Sequence, residues 1–261
     1  MSNNQSTTIK KMISAAQAGG SVVAKYFGKE LKTTTKSLPS DFYTKADVGS
    51  ERSILNSISR SFPNYNILSE ERGLLNKHSD YTFIIDPLDG TNNFVMGIPN
   101  FSIAIALEND NITTHAVVYQ PLLKRIYYAE LNQGAYCGGK RLHVSHVRDI
   151  RHATVAYSCS YGVSDAREIA VSKQIRSLRV KRLLSTWSPA IDFCLLASGK
   201  IEAIVSDQNE KYDYFAGQLI AKEAGALVTD FSGKKIINDN TPTFIAGNNQ
   251  IIQRALIGVV S

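Results

Sequence analysis

Five short segments rich in β-branched and aromatic residues follow one another between residues 65 and 131, and this run constrains the fold more than any other feature. They read YNIL (65–68), YTFIID (81–86), FSIAIAL (101–107), THAVVYQ (114–120) and RIYYAEL (125–131). Runs of this length and content are strands, and turn residues punctuate them, Glu108-Asn109-Asp110 in one place and Gly138-Gly139 in the following hairpin. Two helices precede the run. Ile9, Met12, Ile13, Ala16 and Val23 recur at helical spacing over 8–27, behind Ser6-Thr7-Thr8 as a source of an N-cap. A second helix is predicted from Asp47, with Val48, Ile54, Leu55, Ile58 and Phe62 on its apolar face and Pro63 beyond its end.

The second half has a different texture. A strand near 153–158, a helix around 165–177, a strand near 180–184 and a helix at 188–198 ending at Gly199 alternate along the chain. IEAIV (201–205), a helix from Asp213 to about Glu223, ALVTD (226–230), TFIAG (243–247) and a final helix complete it. Consecutive strands behind two helices, followed by alternating helix and strand, predict α+β followed by α/β with a soft boundary near 145–152. No flexible linker joins the halves, so residues 1–150 and 151–261 are expected to be layers of one domain covering 1–261.

Composition excludes several classes. With 261 residues, 43% hydrophobic and 20% charged, the chain has the apolar content of a folded protein rather than a disordered one. No apolar run approaches the roughly 18 residues of a membrane span. Polar residues occupy the N-terminus where a secretory signal would carry its apolar stretch, and a cytoplasmic protein is expected. Cys137, Cys159 and Cys194 form no CxxC pair, which argues against a disulfide framework and a zinc ribbon. The charge balance, 29 basic against 23 acidic residues, is a formal +6. Its densest stretch, RSLRVKR from Arg176 to Arg182, is either a solvated, charge-guarded edge or a binding patch for nucleic acid. Positive charge also attracts a small anionic substrate.

The chemistry is concentrated in acidic residues. In IIDPLDGTNNF (84–94), a buried strand is expected to end at Asp86-Pro87, leaving Asp86 and Asp89 three residues apart on a turn. Gly90 permits an unusual backbone conformation, and Thr91 brings a hydroxyl and an amide at a helix start. Paired hard oxygen ligands beside backbone N–H groups suit a divalent cation and the phosphate it holds. Ser69-Glu70-Glu71 lies just past the preceding strand. Asp213 opens an apolar helix, where it is either a dipole partner or a ligand facing the cleft.

These motifs together resemble the inositol monophosphatase family of magnesium-dependent, lithium-sensitive phosphatases. Asp86-Pro87-Leu88-Asp89-Gly90-Thr91-Asn92-Asn93-Phe94 is similar to its first signature, D-P-[LI]-D-G-T-x-N-F. Tyr212-Asp213 through Gly217, Ile220, Glu223, Ala224 and Gly225 resembles the second, W-D-x-A-A-G-x-x-I-x-x-E-A-G-G. Asp41-Phe42-Tyr43-Thr44-Lys45-Ala46-Asp47 and Ser69-Glu70-Glu71 stand where the family has D-L-V-T-x-x-D and G-E-E. The four motifs fall in family order over residues 8–258. The resemblance implies a layered α-β-α-β-α sandwich of the inositol monophosphatase/fructose-1,6-bisphosphatase type, with an antiparallel sheet in the N-terminal half and a mixed sheet in the C-terminal half.

The same resemblance implies a Mg²⁺-dependent phosphomonoesterase for inositol monophosphate or a similar polyol or sugar phosphate, using two or three ions. Glu70, Asp86, Asp89 and the Leu88 carbonyl would hold the first metals, and Asp213 with Asp86 and Asp89 a second site. Glu70 and Thr91, supported by Asp47, would position and deprotonate water. Gly90 and Thr91 amides, with Asp89, Ser188 and Asp213, would face the substrate. It also implies a homodimer. Alternatives are a non-enzymatic partner of RNA or the transcription machinery, or a phosphatase for fructose bisphosphate, histidinol phosphate or a nucleotide bisphosphate. Two departures bear on the alcohol side. Trp187 replaces a Gly in Ser185-Thr186-Trp187-Ser188-Pro189-Ala190, and it either flanks the pocket or turns into the core. Ser206 stands where the family has an inositol-gripping Glu, with Asp207 beside it.

Overall fold

The computed structural model describes residues 5–236 and 239–260, the last two without their side chains. In chain order the elements are α1 (Thr7–Tyr26), β1 (Thr34–Thr35), β2 (Phe42–Tyr43), α2 (Lys45–Ser61), β3 (Asn66–Ser69), β4 (Gly73–Leu75), β5 (Tyr81–Asp89) and α3 (Thr91–Val95). Then come β6 (Ser102–Asn109), β7 (Ile112–Gln120), β8 (Arg125–Glu130), β9 (Gly134–Cys137), β10 (Lys140–Arg141), β11 (Thr154–Cys159), α4 (Asp165–Ser177) and β12 (Arg182–Leu184). The chain closes with α5 (Pro189–Ala197), β13 (Ala203–Asp207), α6 (Lys211–Glu223), β14 (Leu227–Thr229), β15 (Phe244–Gly247) and α7 (Gln250–Val260).

The expected layers are present. An eight-stranded sheet runs β10-β9-β8-β7-β6-β5-β3-β4, and a five-stranded sheet runs β12-β11-β13-β15-β14. Alternation along β5 shows how the first sheet is covered on both faces. Phe83 and Ile85 pack with Ile9, Met12, Ile54 and Ile58 of α1 and α2. Ile84, between them, faces Phe193, Leu196, Tyr214 and Phe215 of α5 and α6. The same α5–α6 layer meets Ile204 and Phe244 of the five-stranded sheet. The far face of that sheet, Val155, Val205 and Ile245, is covered by Val171 and Ile175 of α4 and Ile252 and Leu256 of α7. Each fully buried Phe or Ile contributes roughly 1.5–3 kcal/mol. The outcome is α-β-α-β-α.

Three local expectations are corrected. The strand does not end at Pro87: β5 continues to Asp89, pairing Asp86 with Ala104 and Asp89 with Ser102 across a bulge. Proline is tolerated there because a bulge leaves residues outside the ladder. The first sheet is not wholly antiparallel, since β3 runs parallel to β5. Both helices expected to begin at an aspartate begin two residues earlier. Asp47 and Asp213 are the third residues of α2 and α6, each closing a capping box, with Thr44 and Glu210 at the caps.

Candidate active site

The bulge of β5 sets the centre of the site. Asp86 and Asp89 are both buried, and the Leu88 amide donates to Asp86 Oδ1 at 2.9 Å, fixing the carboxylate over the turn. Asp89 is held from three directions: Ser102 Oγ donates to Oδ2 at 2.8 Å, Ser188 Oγ donates to the same oxygen, and the Ala190 amide reaches Oδ1 at 3.3 Å. Ser188 immediately precedes α5, so this aspartate ties the first sheet to the central helix layer. Gly90 follows with φ of +89°, and a Cβ there would stand 2.9 Å from the Asn100 carbonyl oxygen. Only glycine fits both constraints.

The capping box of α2 supplies the next part. Asp47 Oδ2 accepts from the Thr44 amide at 2.7 Å and the Thr44 hydroxyl at 2.6 Å. That leaves Oδ1 to face Thr91, whose Oγ lies 2.9 Å from it and 2.9 Å from the Leu88 carbonyl. A hydroxyl has one proton and two acceptor lone pairs. With both neighbours acting only as acceptors, Thr91 donates to one or the other and keeps its lone pairs for an incoming donor such as water.

Glu70 follows β3, and its amide donates to the Ile85 carbonyl at 3.2 Å. Buried Glu51 braces this corner through Ser69 Oγ and the amides of Glu71 (3.2 Å) and Arg72 (3.0 Å). Across from it Lys36, in the loop between β1 and β2, pairs with Glu70 Oε1 at 2.8 Å and Glu71 Oε1 at 2.6 Å. Asp213 reaches the cluster from α6; its Oδ2 accepts from the Glu210 amide at 2.9 Å. The capping role is therefore present, and the same carboxylate lies within electrostatic reach of Glu70 and Asp89.

Electrostatics binds these groups into one system. Burial, then repulsion from Glu70, Asp89 and Asp213, pushes Asp86 well above the carboxylate range. Burial and the charges of Glu70 and Asp89 do the same to Asp213. Burial raises Asp89 to about 6 against its hydrogen bonds to Ser188, Ser102 and Ala190. Glu70 is raised by burial despite Lys36 and a hydrogen bond shared with Asp86, and Glu71 rises to about 7. Among the described residues no Lys, Arg or His pairs with Asp86, Asp89 or Asp213. Buried, mutually repelling, hard oxygen donors fit a divalent cation, which removes the repulsion that otherwise drives them to hold protons. Among the described residues no three acidic, His or Cys side chains close into a finished cage; the carboxylates stand within electrostatic reach rather than in ligand contact.

The other side of the site is built differently. Trp187 is 58% exposed, so it is not turned into the core, and its φ of +55° is left-handed. That conformation costs a bulky residue about 1–3 kcal/mol. Ser206 is buried, its hydroxyl accepting from Asn209 Nδ2 at 2.9 Å and lying 3.4 Å from the Pro242 carbonyl. Sequence reasoning missed Lys36, Tyr161, Ser102 and Asp192. Lys36 lies in a polar loop with nothing to distinguish it from its neighbours. Buried Asp192 holds Thr186 Oγ1 at 2.8 Å, and its place in the first turn of a predicted helix was the available signal.

Fold and site define a layered α/β protein with a buried carboxylate cluster at the end of a bulged strand. The chain belongs to the inositol monophosphatase family, whose model matches residues 4–261. It is 35% identical over 227 residues to "Nus factor SuhB" of Pasteurella multocida, covering 85% of this chain and 84% of that one. It is 31% identical over 260 residues to "Inositol-1-monophosphatase" of Mesorhizobium japonicum, covering 98% and 97%. Among solved structures, the extragenic suppressor protein suhB of Bartonella henselae superposes with a TM-score of 0.91 at 28% identity, over 98% of this chain and 99% of that one. An IMPase of Thermotoga maritima gives a TM-score of 0.88 at 31% identity, over 98% and 97%.

Proposed function

We propose that the chain is a Mg²⁺-dependent phosphomonoesterase acting on a small phosphate ester, with water as the acceptor. The observation that carries this is the convergence of Glu70, Asp86, Asp89 and Asp213 in one repelling cluster beside the Asp47–Thr91 pair. Glu70, Asp86, Asp89, Asp213 and the Leu88 carbonyl would hold the ions, two or three in number. Bound there, Mg²⁺ supplies Lewis acidity, lowering the pKa of water and offsetting negative charge on the phosphate and on the leaving oxygen.

The protein's own groups do the rest. Thr91, polarised by the carboxylate of Asp47, accepts from the attacking water and orients it. Glu70, whose proton affinity burial raises, takes the proton. The amides of Gly90 and Thr91 donate to the phosphate oxygens, with Gly90's lack of a side chain permitting close approach. Ser188 at the start of α5, Asp89 at the end of β5 and Asp213 on α6 would face the substrate. Phosphate release from a panel of inositol, sugar and nucleotide esters with Mg²⁺, with and without Li⁺, tests the assignment; no release from any ester would refute it. A homodimer and a cytoplasmic location go with this reading.

A second reading rests on the relatives named Nus factor SuhB. Arg176, Arg179, Lys181 and Arg182 are all exposed where α4 leads into β12, an edge strand. A basic, open edge suits RNA or a component of the transcription machinery. Salt-sensitive RNA binding that is lost when these four residues are changed to Gln would support it; binding that survives the change would not.

A further inference from the structure

The end of β13 and the turn after it offer little to a hydroxylated substrate through Ser206, Asp207 and Asn209, whose buried polar groups are already engaged. Asp207 is fully buried and gripped by Arg167, with Nε at 2.6 Å from Oδ2 and Nη2 at 3.3 Å from Oδ1. Asn209 Nδ2 is shared between the Ser206 hydroxyl at 2.9 Å and the Ser158 carbonyl at 3.1 Å. What stands beside them instead is an aromatic ring. The Ser160 amide donates to the Asp207 carbonyl at 3.1 Å, and the next residue, Tyr161, extends to Asn92, whose Nδ2 donates to its hydroxyl at 2.9 Å. Asn92 is the neighbour of Thr91. Tyr161 is 49% exposed and lies within electrostatic reach of Asp213 and Glu70.

A second aromatic stands beyond the adjacent residue. Asn93 Nδ2 donates to the Thr186 carbonyl at 2.7 Å and so anchors the segment that carries Trp187. That segment is pinned on both sides of the tryptophan, by Thr186 on Asp192 at 2.8 Å and by Ser188 on Asp89. The left-handed backbone that carries this exposed indole is held by its neighbours rather than by its own preference, the pattern of strain kept at functional sites.

We propose that Tyr161 and Trp187 select the leaving group, and that the site takes phosphate monoesters whose alcohol presents a flat ring, an aryl or a nucleoside phosphate. This rests on the phosphatase reading of the same site. A ring gains from aromatic faces without needing hydrogen-bond partners, whereas a polyol would surrender water at its hydroxyls to groups already paired. The reaction balances as hydrolysis. Water's oxygen forms the new bond to phosphorus as the bond to the leaving oxygen breaks, and a proton from water ends on that oxygen.

The test is steady-state kinetics with Mg²⁺ on phenyl phosphate, adenosine 5′-monophosphate, glycerol 2-phosphate and inositol 1-phosphate. The proposal expects kcat/KM for at least one ring ester to exceed that for inositol 1-phosphate tenfold or more, and the first two substrates tell aryl from nucleoside. Tyr161→Ala and Trp187→Gly should each lower that ratio at least fivefold through the KM of the ring ester, while Tyr161→Phe retains the preference. Trp187→Gly also suits the left-handed backbone, so its loss of selectivity would come without loss of melting temperature. Preference for the polyol esters, or a ratio indifferent to both substitutions, overturns the proposal. Failure to hydrolyse all four esters overturns the phosphatase reading beneath it.

Discussion

The Lys36 ammonium lies 2.8 Å from Glu70 and 2.6 Å from Glu71, so a cation of the chain itself answers the outer carboxylates of an acidic site. Burial works against the lysine charge, yet the two glutamates outweigh it and raise the ammonium above its ordinary range. Lys36→Met should lower metal-free stability by about 1 kcal/mol, as expected for a partly exposed pair. Saturating Mg²⁺ should erase that deficit, because the metal then neutralises Glu70. Denaturant melts in EDTA and in Mg²⁺ check this; an equal deficit in both would show that lysine and metal do not share the carboxylate.

Thr91 and Asp47 give a sharper prediction about turnover. Thr91→Ser keeps the hydroxyl and should keep most of kcat, while Thr91→Val removes it and should cost about 10²–10⁴-fold, the range for a positioned proton-handling group. Steady-state kcat for the pair, with folding checked by circular dichroism, separates loss of the hydroxyl from loss of packing.

Asp192 sets a pH dependence away from the metal ligands. Burial, with a contribution from Asp89, raises it to about 8 despite its bond from Thr186. An acid raised in the folded state is penalised when ionised, so its contribution is most favourable below the unfolded value near 4 and is lost as pH climbs through about 8. Asp192→Asn should therefore flatten the decline in melting temperature between about pH 4 and pH 8. A parallel, unflattened curve would contradict the assignment.

Gly90 is a matter of backbone alone. With φ at +89° and the Asn100 carbonyl oxygen 2.9 Å from a would-be Cβ, Gly90→Ala should cost about 1–3 kcal/mol by urea denaturation.

Much of this was legible in the chain because the relevant physics is local. Capping residues, strand alternation and the D-P-L-D-G-T string act over a few neighbours, and the change of texture between halves marked α+β followed by α/β, while the layered sandwich came from the family resemblance. The parallel pairing of β3 with β5 was not legible, because pairing partners are chosen by tertiary packing. Proline at 87 was read as a strand end when it marks a bulge, since the sequence does not show where the ladder resumes. Lys36 and Tyr161 escaped because their roles depend on loops folding back onto Glu70 and Asn92, contacts separated by 34 and 69 residues. Trp187 was visible as an oddity, but only the backbone reveals that it occupies a left-handed position.

The most direct test is phosphate release by the wild-type chain and by Asp89→Asn, each assayed with Mg²⁺ and with EDTA. Burial raises Asp89 to about 6, so the neutral amide removes a buried charge that is costly without metal, and circular dichroism with a melt in EDTA checks that the variant folds. Its turnover with Mg²⁺ should fall by about 100-fold or more, the upper end of what even an outer-shell partner of a metal contributes. Wild-type hydrolysis that needs Mg²⁺ and vanishes in the variant is the predicted result. Near-normal turnover by Asp89→Asn, or wild-type turnover indifferent to EDTA, would contradict the carboxylate cluster as the seat of the chemistry.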